Sequence, residues 1–393
     1  MGRPHVAEPR ESITSLRLTA NEREEMEFTS QALGFKSLGD YIRHLHKVAA
    51  APEQKRIDKI NGKTYGPFSE AFKTDLGKIY QGNSLEYLHH RAKPGSVNLI
   101  LTSPPFGLVR KKSYGNEDAA EYCQWFRPFA EGFHRVLKDN GSLVIDIGGA
   151  WKSGSPTRSL YHFKLLVMLC EEYGFHLAQE HYWWNPAKLP SPAEWVNVRR
   201  VRVKDAINCI WWLSKTPFPK ASNKRVLAPY SDSMKSLLKN GYTAKLRPSG
   251  HDISDKFSKD NGGSVPPNLL AIANTESNGT YQEYCRANGI DIHPARFPAL
   301  LPEYFIRMLT DPGDMVLDPF GGSCVTGMVA ESLKRKWACI ELSSEYIRGG
   351  LGRFQADSVI GRGRPAVYSI NTPCSQPIDE TAVPLVANGG ETR

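Results

Sequence analysis

The chain has no run of about 18 apolar residues, and no charged start leading through an apolar stretch to a small-residue cleavage site. The sequence therefore offers neither a membrane span nor a secretion signal, and a cytoplasmic protein is expected. Cysteines are few. The seven, at positions 123, 170, 209, 285, 324, 339 and 374, form no CxxC pair and no ligand spacing with histidine. That pattern argues against a zinc module or a disulfide framework, so reduced thiols and no metal are expected. Acidic residues are the minority: 41 Asp and Glu against 50 Lys and Arg leave a formal charge of +9. A surplus of that size favours a polyanionic partner without naming one. With 393 residues, 40% of them hydrophobic, there is material for one large core and one or two smaller units.

Residues 13–19 alternate, with Leu16 and Leu18 on one face of a short strand and Ser15, Arg17 and Thr19 on the other. Two capped helices are predicted next. Thr19 with Glu22 makes a capping box and Gly34 an exit, while Ser37 with Asp40 opens a helix carrying Leu38, Tyr41, Ile42 and Leu45. Residues 10–50 thus resemble a ribbon-helix-helix module, which pairs as a homodimer and can enter the major groove; a helical extension packed on the main domain is the other reading. Residues 51–75 read as a linker. From residue 76 strands alternate with helices, the pattern of an α/β domain with a mostly parallel sheet. Strands are predicted at 76–81, 97–102, 142–147, 177–184, 206–213, 315–318 and 337–341, seven in all, and helices around 84–90, 118–138 and 158–173. Residues 216–292 break this rhythm and read as an inserted region. Residues 293–355 close the domain, and 356–393 form a polar tail.

Two loops carry the chemistry. The strand Leu99–Thr102 runs straight into Ser103-Pro104-Pro105-Phe106, which belongs at the carboxyl edge of the sheet, where α/β proteins bind ligands. Consecutive prolines have fixed φ and no N–H, so their carbonyls are held outward as acceptors. Such acceptors suit an amino group whose lone pair is delocalised into a ring, because hydrogen bonds from both of its N–H groups draw the nitrogen towards tetrahedral geometry. Asp146 follows the neighbouring strand and either orients Ser103, or helps remove the amino proton, or caps the turn at Gly148-Gly149. The second loop, Pro319-Phe320-Gly321-Gly322-Ser323-Cys324, lies between the strand ending at Asp318 and a helix. The next strand ends at Glu341, about 20 residues on, where a carboxylate accepts both hydroxyls of a ribose. Thr326-Gly327 stands where a Walker lysine would be, which disfavours a triphosphate.

Thr102–Phe106 and Asp318–Ser323 resemble the catalytic and cofactor motifs of the DNA amino-methyltransferases. Their order, catalytic motif first, is that of the permuted β group. Residues 188–197, 247–252 and 257–264 are similar to its PvuII-type cytosine-N4 modification enzymes. The resemblance implies a Rossmann-like S-adenosylmethionine-dependent fold with a seven-stranded sheet, an inserted target-recognition region at 216–292 and a small N-terminal α/β extension. It divides the enzyme into a catalytic half, 76–215, and a cofactor half, 293–355. It implies that Ser103, Pro104, Pro105 and Phe106 form the target-base pocket. Asn83, Asp318, Phe320, Gly321, Gly322, Ser323 and Glu341 would hold the cofactor, with Arg296 of His293–Pro298 on its carboxylate. Two positions depart from the pattern: Asn83 replaces an aspartate, and Cys324 a small or polar residue.

The expected reaction is methylation of cytosine N4 in double-stranded DNA, with the base flipped out, and the implied site is CAGCTG within a type II restriction-modification system. A cognate endonuclease would act on the same site without forming a stable complex. Arg199, Arg200, Arg202 and Lys204 are candidates for phosphates, against a plain solvated face. Arg247, Ser249, His251, Asp252, Lys256 and Lys259 are candidates for base edges. Adenine N6 methylation and a DNA-binding regulator acting through residues 10–50 are the alternatives. Cys374, after Pro373, reads as a tail thiol rather than the nucleophile of a C5 methylation.

Overall fold

The computed structural model describes residues 19–32, 35–43, 45, 65–107, 119–241, 259–275 and 279–354. It divides into two compact units, Met1–Thr64 and Tyr65–Arg393. The expected strand at 13–18, Gly34, Arg247, Ser249, His251, Asp252, Lys256 and Cys374 lie outside the described residues. In the first unit the capping box forms as the sequence predicts. Thr19 N donates to Glu22 Oε2 at 2.8 Å and Glu22 N to Thr19 Oγ1 at 3.3 Å, opening the helix Ala20–Ala32. Asp40 N donates to Ser37 Oγ at 3.1 Å at the second predicted helix start.

The second unit is built on nine strands: β1 (Phe68–Lys73), β2 (Gly77–Gly82), β3 (Val97–Thr102), β4 (Leu137–Ile147), β5 (His176–Trp184), β6 (Ile207–Ser214), β7 (Leu269–Ala271), β8 (Met315–Asp318) and β9 (Lys336–Glu341). They form one sheet in the order β1-β2-β9-β8-β3-β4-β6-β5-β7. From β2 to β4 neighbouring strands are parallel, and β6 is antiparallel to both β4 and β5. The seven expected strands are the seven inner ones, so the sheet is wider than expected by its two edges. β1 lies within the stretch read as linker and β7 within the inserted region. Neither announces itself, because β1 is largely exposed, with Glu70 between its two half-buried phenylalanines, and β7 has only three residues.

β3 shows why the centre was legible. All six of its residues are buried, and beyond an irregularity between Val97 and Leu99 successive side chains alternate between two cores. Val97 and Ile100 join the cluster under the helices Tyr122–Val136 and Tyr161–Glu171, while Leu99 and Leu101 join the one under Leu300–Leu309 and Val325–Ser332. β8 and β3 are adjacent, yet the chain leaves them in opposite directions, towards β9 and towards β4. That reversal opens a crevice at the carboxyl ends of the two strands, where a doubly wound sheet binds its ligand. Among the described residues no helix is long and apolar enough to cross a membrane.

Candidate active site

A cavity of about 1120 Å³ occupies this crevice. All of the residues assigned from sequence to the base pocket and the cofactor line it: Ser103–Phe106 after β3, Asp146 in β4, Asn83 after β2, Arg296, Asp318–Ser323 and Glu341. The two loops are pinned together at the strand ends. Thr102 Oγ1 donates to Asp318 Oδ1 at 2.7 Å, and Thr326 Oγ1 to Asp318 Oδ2 at the same distance. Phe320 N also reaches Asp318 Oδ1, at 3.1 Å. Asp318 is thus buried with both oxygens engaged, and it braces the two loops against each other. Burial pushes its carboxyl up to about 6, against the pull of those hydrogen bonds.

On the β3–β4 side, Ser103 Oγ donates to Asp146 Oδ2 at 3.1 Å and Asn208 Nδ2 to Asp146 Oδ1, also at 3.1 Å. Of the readings left open for Asp146, this geometry joins it to Ser103. The Gly148-Gly149 turn has other neighbours: the Phe106 ring lies against Gly148 and the Arg158 guanidinium against Gly149. Burial raises the Asp146 carboxyl to about 6, opposed by Asn208, Ser103 and the charge of Lys188. A carboxylate in that position is ionised at neutral pH yet still basic enough to take a proton. Lys188, on the loop from β5 to β6, also lines the cavity, and burial lowers its pKa.

On the β8–β9 side the groups are mostly backbone. Gly322 N donates to Glu341 Oε2 at 2.8 Å and Ser343 N to Glu341 Oε1 at 2.9 Å. Both carboxylate oxygens are thereby oriented, and Glu341 lines the cavity. Gly322 has φ +50°, a left-handed conformation suited to glycine, and a Cβ there would lie 3.1 Å from His293 Nε2. His293 sits edge-on to Tyr346, with ring centroids 4.3 Å apart, and its Nδ1 accepts from Ala295 N at 3.2 Å. Burial lowers its pKa to about 4, so the ring is neutral. Arg296 donates to the His293 carbonyl and lies over the Tyr281 ring. Phe320 packs against Phe129 and Trp125 at 5.0 and 5.9 Å, giving this side an aromatic wall. Asn83 Oδ1 accepts from Leu85 N at 3.0 Å, so it caps the short helix that follows β2.

Lys188, Asn208, Trp125, Phe129 and Ser343 are residues of this site that sequence reasoning did not single out. Asn208 carries a signal, a lone amide in the apolar strand Ile207–Trp211; Trp125 and Phe129 read as helix core. The described basic candidates, Arg199, Arg200, Arg202, Lys204 and Lys259, lie off the cavity wall. Arg199 is exposed and paired with Glu194, and Arg200 is exposed with φ 54°. Lys204 Nζ donates to the carbonyls of Lys188 and Pro186, and Lys259 is exposed. Arg202 turns inward: its side chain is 16% exposed and bound to Asp205 at 2.9 Å, which takes it off the solvent face.

The family model described as DNA methylase matches residues 97–351. The chain is 54% identical to the type II methyltransferase M.PvuII of Proteus hauseri over 292 residues, which are 74% of this chain and 87% of that protein. It is 47% identical over 291 residues to the DNA adenine methyltransferase YhdJ of Escherichia coli K12, covering 73% of this chain and 85% of that one. Among solved structures, PvuII DNA methyltransferase (cytosine-N4-specific) superimposes with a TM-score of 0.61 at 45% identity, over 76% of this chain and 92% of its own.

Proposed function

The chain belongs to the DNA methylase family, and on that premise we propose that it transfers a methyl group from S-adenosylmethionine to N4 of cytosine in double-stranded DNA. The observation that carries the reading is the Ser103–Asp146–Asn208 network facing an oriented Glu341 across one cavity. The residues present suit the cofactor. Glu341 would take the ribose hydroxyls, Phe320 the adenine face, Asn83 the adenine edge, and Arg296 with the Gly321–Ser323 backbone the methionine end. When bound, S-adenosylmethionine supplies an electrophilic methyl group on a sulfonium.

Ser103 Oγ and the Pro104 carbonyl accept the two amino hydrogens of the flipped base, which concentrates the nitrogen lone pair towards the donor. Phe106, held against Gly148, stacks on the ring. As the N–C bond forms at the expense of the sulfur–methyl bond, whose electron pair would stay on sulfur, the surplus amino proton passes through Ser103 Oγ to Asp146 Oδ2, whose raised pKa suits it to that step. Asn208 holds the other carboxylate oxygen in place.

Identity to M.PvuII supports CAGCTG as the target and a restriction-modification role. Arg199, Arg200, Lys204 and Lys259 are proposed for DNA contact. The inserted region would read bases, and the N-terminal unit would pair two copies. A second reading, adenine N6, is favoured by the YhdJ relative. Mass spectrometry of nucleosides from DNA treated with the protein and S-adenosylmethionine, beside cleavage by a CAGCTG-specific endonuclease, separates them. N4-methylcytosine with protection is the expected result; N6-methyladenine establishes the second reading.

A further inference from the structure

The loop joining β5 to β6, residues 185–206, leaves the carboxyl edge of the sheet, and its two ends belong to the cavity wall through Asn185, Lys188 and Ala206. Between those ends it exposes four aliphatic side chains: Leu189 at 80%, Val198 at 70%, Val201 at 61% and Val203 at 85%. One exposed leucine is ordinary on a protein surface, but four within fifteen residues, interleaved with exposed Arg199, Arg200 and Lys204, form a patch that is apolar and cationic at once.

The loop is tied down. Lys204 Nζ donates to the Lys188 and Pro186 carbonyls at 3.1 and 3.3 Å, Asp205 N to Ser191 O at 3.0 Å, and Val201 N to Trp195 O at 2.9 Å. Asp205 gathers Arg158 and Arg202 at 2.8 and 2.9 Å. Leu189 precedes Pro190, which restricts its backbone to extended conformations and fixes the direction in which it projects. Its neighbour Lys188 faces the cavity while Leu189 faces solvent.

We propose that Leu189 is the wedge that enters the duplex and fills the gap left when the target base turns out into the cavity, with Arg199 and Arg200 on the flanking phosphates. The proposal rests on the reading that this cavity takes a base from DNA. A polyanion with an apolar stack is the partner that a mixed apolar and cationic patch fits, and aliphatic wedges between unstacked bases recur where proteins deform DNA. The position follows from chain geometry: Lys188 lines the cavity and Leu189, the next residue, projects into solvent, which puts an exposed leucine at the cavity rim.

The test compares wild type with Leu189→Ala and Leu189→Phe on two duplexes. One carries a fully paired CAGCTG site; the other places an abasic position opposite its inner cytosine. If Leu189 supports flipping, Leu189→Ala loses about tenfold or more on the paired duplex and regains near wild-type rate on the second, where the unpairing cost of a few kcal/mol is already met. Leu189→Phe, still apolar and larger, retains activity on both. A fluorescent cytosine analogue at the target brightens on binding wild type and not Leu189→Ala. Undiminished activity of Leu189→Ala on the paired duplex, or equal loss on both, overturns the wedge. Wild type inactive on both duplexes overturns the methyltransferase reading instead.

Discussion

The two sides of the cavity are built differently. The β8–β9 side is made of backbone amides, a left-handed glycine and a carboxylate whose oxygens are already fixed by Gly322 and Ser343. The β3–β4 side is made of side chains drawn from two strands and the loop after a third, Asp146, Asn208 and Ser103, around a carboxylate raised by burial to about 6. In the proposed reaction one side would hold the same molecule in every turnover, which a rigid backbone does without a change of state. The other would accept a base, polarise it and take its proton, which requires a group that changes protonation near working pH.

The largest effect should come from Asp146→Asn. Single-turnover methyl transfer falls by roughly 10²–10⁴-fold, the range of general acid–base contributions, while calorimetric affinity for S-adenosylmethionine stays at the wild-type value. The same variant sharpens the contrast through stability. Because burial raises the Asp146 pKa from 3.8 to about 6, the folded state binds more protons than the unfolded one between those values, so stability falls as pH rises through that window. Asp146→Asn should therefore melt at a higher temperature than wild type above pH about 6, and no gain would contradict the burial account.

Ser103→Ala comes next, with a transfer loss of about 10²-fold or more from removing one oxygen at the reacting nitrogen. Cofactor affinity should again be intact; equal loss of both would break the division. On the opposite side Glu341→Ala should do the reverse, weakening the cofactor about 10- to 100-fold while sparing transfer at saturating cofactor. Gly327→Ala should have the smallest effect, and on stability. Its Cβ would come within 2.7–2.9 Å of Cys324 Sγ, Trp337 and Cys339 Sγ, an overpacking that costs about 1–3 kcal/mol and is readable by denaturant unfolding.

The two sides also differ in how far they were legible in the sequence. The glycine loop and Glu341 form a contiguous strand, loop, helix, strand pattern, so spacing alone placed the acid. Ser103–Phe106 was visible as a rigid polar loop after an apolar strand. Asn208 and Lys188 were not, because what brings Asn208 and the loop before β6 to Asp146 is the antiparallel pairing of β6 with β4, from Ser142 with Ser214 to Ile147 with Cys209, a register that no local motif encodes. Arg202 looked like one of four equivalent cations until Asp205 proved to draw it inward. Six of the seven inner strands were predicted to within a residue at each end, and β4 begins five residues earlier than expected, at Leu137; β3 was plain because burial makes its apolar run continuous, whereas the edge strands carry too little buried surface to leave a pattern.

The most direct measurement is the pH dependence of single-turnover transfer, with cofactor and DNA saturating, from pH about 5 to about 8. Wild type should rise through a midpoint near 6 to a plateau, and the residual rate of Asp146→Asn should be flat across the same range. A limb near 6 that survives in Asp146→Asn would contradict the account, since it would assign the titration to Asp318 on the other side of the Thr102 hydrogen bond.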